Sequence, residues 1–250
     1  MGTSAVFAFA VLATVVQAAT VAPQEPDVPK AQANSHEAEI GLAAYSDCVV
    51  RGDRRRELVL LYLRVAEGTP EATELNKELS TPDCLLRAVP ESVTPTGGER
   101  SDRRGRLDFS SIDVYTLSMA PVAYRNALYP ALYRYSFGET GPGAIAGKSP
   151  LAVASEWDAA PDPLPAGWLV RRAIGDCVAR GHPDAAHRFV VSTPWSDSET
   201  AEMNEIATAL AECLPAGETV RLGREDVRGI VGEALYKLAV APGVQPGDAS

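Results

Sequence analysis

The heptad SDCVVRG at residues 46–52 returns as GDCVARG at residues 175–181, with five of its seven positions identical. It constrains the fold of this 250-residue chain because each copy carries a cysteine, and each of those cysteines is followed 36 residues later by another: Cys48 by Cys84, and Cys177 by Cys213. Four cysteines allow three connectivities. Equal spacing from a repeated heptad selects Cys48–Cys84 and Cys177–Cys213. In the chain-entropy model each bridge removes about 4 kcal/mol of loop freedom from the unfolded chain, a large share of the ~5–15 kcal/mol net stability of a domain. A zinc site is the alternative, but it wants close pairs of the C-x2-C kind, and no two cysteines here stand that near each other.

The repetition extends past the cysteines. Val227, Ile230, Val231, Ala234, Leu235 and Leu238 recur at i, i+3, i+4, i+7, i+8 and i+11, one face of a helix. Moving back 103 residues gives Tyr124, Ala127, Leu128, Ala131, Leu132 and Tyr135, all apolar, with Arg125 matching Arg228 and Arg134 matching Lys237. The offset falls from 129 at the cysteines to 103 here, so the first copy carries 26 additional residues. They lie in a Pro-, Gly- and Arg-rich segment that reads as a long loop. The chain reads as a tandem duplication of one helical unit.

Within a unit, a first helix over residues 36–51 is expected to place Ile40, Ala44 and Cys48 on one face, as Leu169, Ala173 and Cys177 would in the second copy. Gly52 and Gly181 are expected as left-handed C-terminal caps. A second helix follows Asp53, read as its N-cap, with Leu58, Leu61, Tyr62 and Val65 inward. Its shorter counterpart carries Ala186, Phe189 and Val190. The third helix starts at Thr69-Pro70, or at Ser196 with Glu199 at capping-box spacing. Met203, Ile206, Ala207 and Leu210 are expected on its inner face in the second copy. Pro82 should kink or break the first copy of this helix just before Cys84, and Pro130, inside the first copy of the fourth helix, should bend it. The predicted architecture is all-α, with two disulfide-stapled units of about four helices each. Unit 1 covers residues 35–137 and unit 2 covers 168–240. A Gly/Pro-rich linker occupies 138–167, with a short helix expected at 151–157, and a tail occupies 241–250.

The first 19 residues contain no charged side chain and hold an apolar run over 5–16, too short to span a bilayer at about 20 residues. Val16-Gln17-Ala18 suits signal-peptidase cleavage, so residues 1–19 read as a secretory signal, with an uncleaved anchor as the alternative. A Pro-rich, flexible lead-in follows at 20–34. Export agrees with the disulfides, which persist in oxidising compartments. The expected location is periplasmic or extracellular, with no transmembrane segment in the mature chain. The net charge of −10 disfavours a nucleic-acid partner, which needs a basic footprint.

The chemistry-bearing candidates are sparse. GPGAIAGKS at 141–149 resembles a phosphate loop, but Pro142 stands where the motif needs Gly, and Pro150 follows at once. His182 and His187 are five apart and diverge on a helix, unlike a zinc-binding i, i+4 pair. No G-x-S-x-G elbow is present, and bridged cysteines are not nucleophiles. Arg100, Arg103, Arg104 and Arg106 read as a solvated loop, with a role toward an anionic partner as the other possibility. Asp47 and Asp176 precede a cysteine in both units and can pair with Arg51 and Arg180 at i, i+4, or with Arg125 and Arg228. These six positions read as architecture. No catalytic, cofactor-binding or metal-binding residue is assigned.

The functional expectation is a non-catalytic exported protein that binds or scaffolds in the envelope or periplasm through an unidentified partner. The alternative is a hydrolase-like secreted enzyme using Asp/Glu and Arg where the two units meet. A filled, apolar interface would favour the first, and paired carboxylates with room for a ligand the second.

Overall fold

The computed structural model describes residues 35–88, 120–143, 145, 148–149, 157–158, 164–214 and 220–241. The leader, the lead-in, the arginine-rich loop with Arg100, Arg103, Arg104 and Arg106, nearly all of the short helix expected at 151–157, and the tail beyond Ala241 lie outside the described residues. Among the described residues the chain forms nine α-helices and no strand. They are α1 (Ser35–Arg51), α2 (Asp53–Arg64), α3 (Pro70–Leu79), α4 (Pro82–Ala88), α5 (Pro121–Phe137), α6 (Ala166–Gly181), α7 (Pro183–Val191), α8 (Asp197–Cys213) and α9 (Arg224–Val240). None is long and apolar enough to cross a membrane.

Both disulfides form as the spacing selects. Cys48 joins Cys84 with 5.5 Å between their Cα atoms, and Cys177 joins Cys213 at 5.8 Å. The first ties α1 to α4, and the second ties α6 to the end of α8. Pro82 does break the expected third helix: α3 stops at Leu79 and α4 starts at Pro82. Two of the groups freed by that break are satisfied by one side chain. The Tyr45 hydroxyl of α1 donates to the Leu79 carbonyl and accepts the Thr81 N–H, each at 3.2 Å. An orphaned backbone group in the interior would cost about 1–3 kcal/mol, so Tyr45 holds the break where Cys84 can meet Cys48.

Helix starts follow local chemistry. Thr69 accepts the Ala72 N–H and Ser196 accepts the Glu199 N–H, both at 3.1 Å. Asp53 is the first residue of α2, and Gly52 is its N-cap. Gly52 is extended (φ −82°, ψ 122°) and Gly181 ends α6 without positive φ, so neither is a left-handed cap. Gly181 is followed directly by His182 and Pro183, which start α7, and the chain turns there without a left-handed residue.

The inner faces of the first helices lie one residue round from expectation. Ile40 and Leu169 are exposed, while Gly41, Tyr45 and Val49 of α1 and Ile174, Gly175 and Val178 of α6 are buried. Helical period defines a stripe but not its centre, and one residue turns the face by about 100°. Close backbone approaches set the centre here. A Cβ on Gly41 would stand 2.7 Å from the Ala88 carbonyl oxygen, and one on Gly175 would strike the Ile230 carbonyl. In α2, Leu61 points outward and Val59 and Leu63 point inward, beside the expected Tyr62 and Val65. In α8, Ala209 is buried in place of Ala207.

At the centre, α5 packs along α9, with α1 on the outer side of α5 and α6 on the outer side of α9. The α9 stripe from Val227 to Leu238 is wholly buried, as its periodicity requires. On α5, Tyr135 is turned out under the Arg56 guanidinium, which sits 4.5 Å above its ring. Two glycines let α5 and α9 approach. A Cβ on Gly229 would lie 2.5 Å from Asn126 Cβ, and one on Gly232 would lie 2.7 Å from Pro130 Cγ.

Two arginines perform the same task 103 residues apart. Arg125 donates to the carbonyls of Leu63 (2.7 Å), Tyr62 (3.0 Å) and Val65 (2.5 Å) at the end of α2. Arg228 donates to the carbonyls of Val190 (2.9 Å) and Ser192 (3.0 Å) at the end of α7. Each guanidinium lies over a ring of the helix it caps, Tyr62 at 4.9 Å and Phe189 at 4.8 Å. A cation at the last carbonyls of a helix satisfies orphan acceptors and complements the macrodipole.

Candidate functional site: the cleft between α1, α5 and α9

The tight contact of α5 with α9 opens at one edge into a small cleft. Leu42 and Ala43 of α1 and Ala123, Ala127 and Pro130 of α5 supply apolar walls. Glu39, Asn126, Arg134, Pro194, Glu199, Arg224, Glu225 and Arg228 complete the lining. It is therefore built from both the first five helices and the last four.

Glu199 anchors one side. Its side chain is 1% exposed, one carboxylate oxygen accepts Arg228 at 2.5 Å, and the other accepts Arg224 at 2.8 Å and the Trp195 N–H at 2.6 Å. Burial pushes this carboxyl up, but the bonds from Arg228, Trp195 and Arg224 outweigh it and hold its pKa below the ordinary value. Burial also lowers the Arg228 pKa, which its bond to Glu199 restores only in part. The capping-box reading is half met: Ser196 caps α8 as expected, but Glu199 turns to Trp195 and two arginines instead of the Ser196 N–H.

Trp195 occupies a left-handed conformation, φ 63°, which is rare for a bulky residue and is held only where surroundings over-determine it. Its N–H is fixed by Glu199, and its indole Nε1 donates to Glu39 at 2.7 Å. The His36 ring lies 4.5 Å away and the Arg224 guanidinium 4.6 Å from its centroid. This cluster joins α1 to the α7–α8 connection. The Glu39 carboxyl is raised, first by burial and then by the nearby charges of Glu225 and Glu199, with the Trp195 bond and Arg224 acting the other way.

The six repeated polar positions are distributed as follows. Asp176 pairs with Arg180 at 2.7 Å, the expected i, i+4 contact. Asp47 meets neither Arg51 nor Arg125. Its partner is Arg134, 87 residues away, at 2.7 Å. Arg51 ends α1 exposed to solvent, whereas α5 carries Arg134 against the inner side of Asp47. Arg134 also donates to the Val190 carbonyl at 3.1 Å, the acceptor it shares with Arg228. Arg125 and Arg228 cap helices and bind no aspartate, and only Arg228 of the six lines the cleft.

Other candidates have local work. Ile145 of the glycine-rich segment is fully buried in the core, and Lys148 donates to the Leu238 carbonyl at 2.6 Å, capping α9 where a phosphate loop would offer its lysine to a ligand. His182 pairs with Glu212 and His187 with the Tyr133 hydroxyl, both at 2.9 Å, so the two rings diverge. Among the described residues no three His, Cys, Asp or Glu side chains converge as metal ligands would. Sequence reasoning missed Glu39, Trp195, Glu199 and Arg224. The only signal for the group was Glu199 at capping-box spacing after Ser196.

No family model matches the chain, and no curated protein and no solved structure is similar to it.

Proposed function

We propose that this is an exported, non-catalytic binding protein that presents the cleft between its first five and last four helices to a partner in the envelope or periplasm. The two disulfides support an oxidising compartment. The matched capping by Arg125 and Arg228 supports the reading of the chain as two copies of one unit. The observation that carries the binding role is the cleft itself. It has apolar walls and a charged rim, the kind of lining in which a few polar groups orient a ligand, and it opens beside an interface otherwise closed by glycine contacts.

The test uses the whole disulfide-bonded protein and its Ala127→Phe variant, which places a ring in the open cleft. Affinity capture from an envelope fraction should recover a partner with the wild type and lose it with Ala127→Phe, while the thermal midpoint stays within a few degrees. Equal recovery by both proteins would rule out the cleft as the binding surface.

One observation favours the hydrolase-like reading: two carboxyls in one cleft have proton affinities moved in opposite directions, Glu39 up and Glu199 down. Glu199, however, has both oxygens held by Arg228, Arg224 and the Trp195 N–H, which makes it an anchor and a poor base. An activity abolished by Glu39→Gln with unchanged partner capture would favour the enzyme.

A further inference from the structure

Three arginines and three glutamates line the cleft, and the two signs are not equally engaged. Its three arginines are engaged: Arg134 with Asp47 and the Val190 carbonyl, Arg228 with Glu199 and two carbonyls, and Arg224 with Glu199 and the face of Trp195. Two carboxylates are not so engaged. Glu225 stands exposed in the first turn of α9, and Glu39 accepts only the neutral indole N–H of Trp195. Leu42 of α1 and Ala123 and Ala127 of α5 line the same cleft.

We propose that the cleft receives an aliphatic ammonium, the side chain of a lysine on a basic partner segment, with its methylene stem along Leu42, Ala123 and Ala127 and its head between Glu39 and Glu225. The chemistry fits both parts of the site. A lysine stem buries against apolar surface while its head remains at the polar rim. The head would give the two carboxylates an ion pair, where Glu39 now has the indole bond and the field of Arg224, and hydrogen bonds between ionised partners are the stronger kind. Burial raises the Glu39 proton affinity most, and the charges of Glu225 and Glu199 add to it against the Trp195 bond and Arg224. A bound cation would relieve that repulsion. The whole chain carries a formal charge of −10, which draws a basic partner on approach.

The inference rests on the cleft being a binding surface, and the experiment separates the two. The full oxidised protein is titrated with n-butylammonium, which is the lysine side chain alone, and with butyrate and n-butanol. Amide shifts of Ala123 and Ala127 and the indole Nε1–H shift of Trp195 report occupancy. A tripeptide with acetylated N-terminus, central lysine and C-terminal amide forms a further arm. The expected result is that n-butylammonium and the lysyl tripeptide shift the cleft signals and butyrate does not. Glu225→Gln, an exposed and unpaired position that folding tolerates, should weaken the amine about fivefold or more, and Glu39→Gln should act in the same direction. If butyrate or butanol shifts the same signals at least as strongly, the cleft remains a binding surface and the ammonium assignment is overturned. If n-butylammonium binds and the tripeptide does not, the lysine of a partner is overturned in favour of a free amine. If no probe moves the cleft signals, the ammonium assignment falls, while the binding role still stands or falls on capture by wild type against Ala127→Phe.

Discussion

Arg228→Ala should be far more damaging than Arg125→Ala, although the two arginines cap their helices alike. The difference lies in what each leaves behind. Removing Arg228 strips one oxygen of Glu199, whose side chain is 1% exposed, and frees the Ser192 carbonyl, while the Val190 carbonyl keeps its bond from Arg134. Breaking a buried pair by deleting one partner costs about 3–5 kcal/mol. Arg224 and the Trp195 N–H still hold the other oxygen, which puts the expected loss near the lower end, about 3 kcal/mol. Removing Arg125 frees the carbonyls of Tyr62, Leu63 and Val65, but its acidic neighbour Glu67 is 37% exposed and stays hydrated. That loss should be about 2 kcal/mol or less. Urea unfolding of the oxidised protein measures both. With a slope of about 2 kcal/mol per molar, Arg228→Ala should lower the midpoint by about 1.5 M. Adding Glu199→Gln to Arg228→Ala should recover part of the loss, because the unpaired charge is gone. The Glu199 pKa is lowered in the folded state, so its contribution is full above the ordinary carboxyl value of 4.5 and is lost as pH falls below it. The gap between wild type and Arg228→Ala should therefore narrow in acid. The reasoning is refuted if Arg228→Ala costs under about 1 kcal/mol, or if Arg125→Ala costs more than Arg228→Ala.

Two further outcomes test the packing and the half-buried histidine contact. Gly229→Ala and Gly232→Ala should each lose about 1–3 kcal/mol by forcing α9 away from Asn126 and Pro130, whereas Gly181→Ala, with nothing within 4 Å of its Cβ, should be neutral or stabilising in the same urea assay. The His187 pKa is lowered, chiefly by burial against Tyr133, so the unfolded chain takes up its proton first. Stability should fall as pH drops through the ordinary histidine value of 6.5, and His187→Gln should flatten that part of the curve; an unchanged slope in the variant would assign the pH dependence elsewhere.

The legible parts of this protein are those written in short-range pattern. Equal 36-residue spacing from a repeated heptad identified both disulfides, because a bridge needs only that two cysteines occupy matching places. Period identified the α9 stripe, and Pro82, Thr69 and Ser196 marked ends whose chemistry is confined to one turn. Patterns of this kind do not say how far a helix is rotated about its axis, so Ile40 and Leu61 were expected inward and face outward. That rotation was decided by contacts with no periodic trace: a glycine against a distant carbonyl, and a tyrosine hydroxyl at a broken helix. The candidate site lay entirely on the illegible side. Glu39 and Trp195 are 156 residues apart, Asp47 and Arg134 are 87 apart, and Glu199 and Arg228 are 29 apart. Sequence by itself determined which segments are helical and which cysteines join. Only the docking of α5 on α9 decided which charges meet, because partners so far apart along the chain are chosen by the angle and depth at which helices pack, and those are set by the whole core at once.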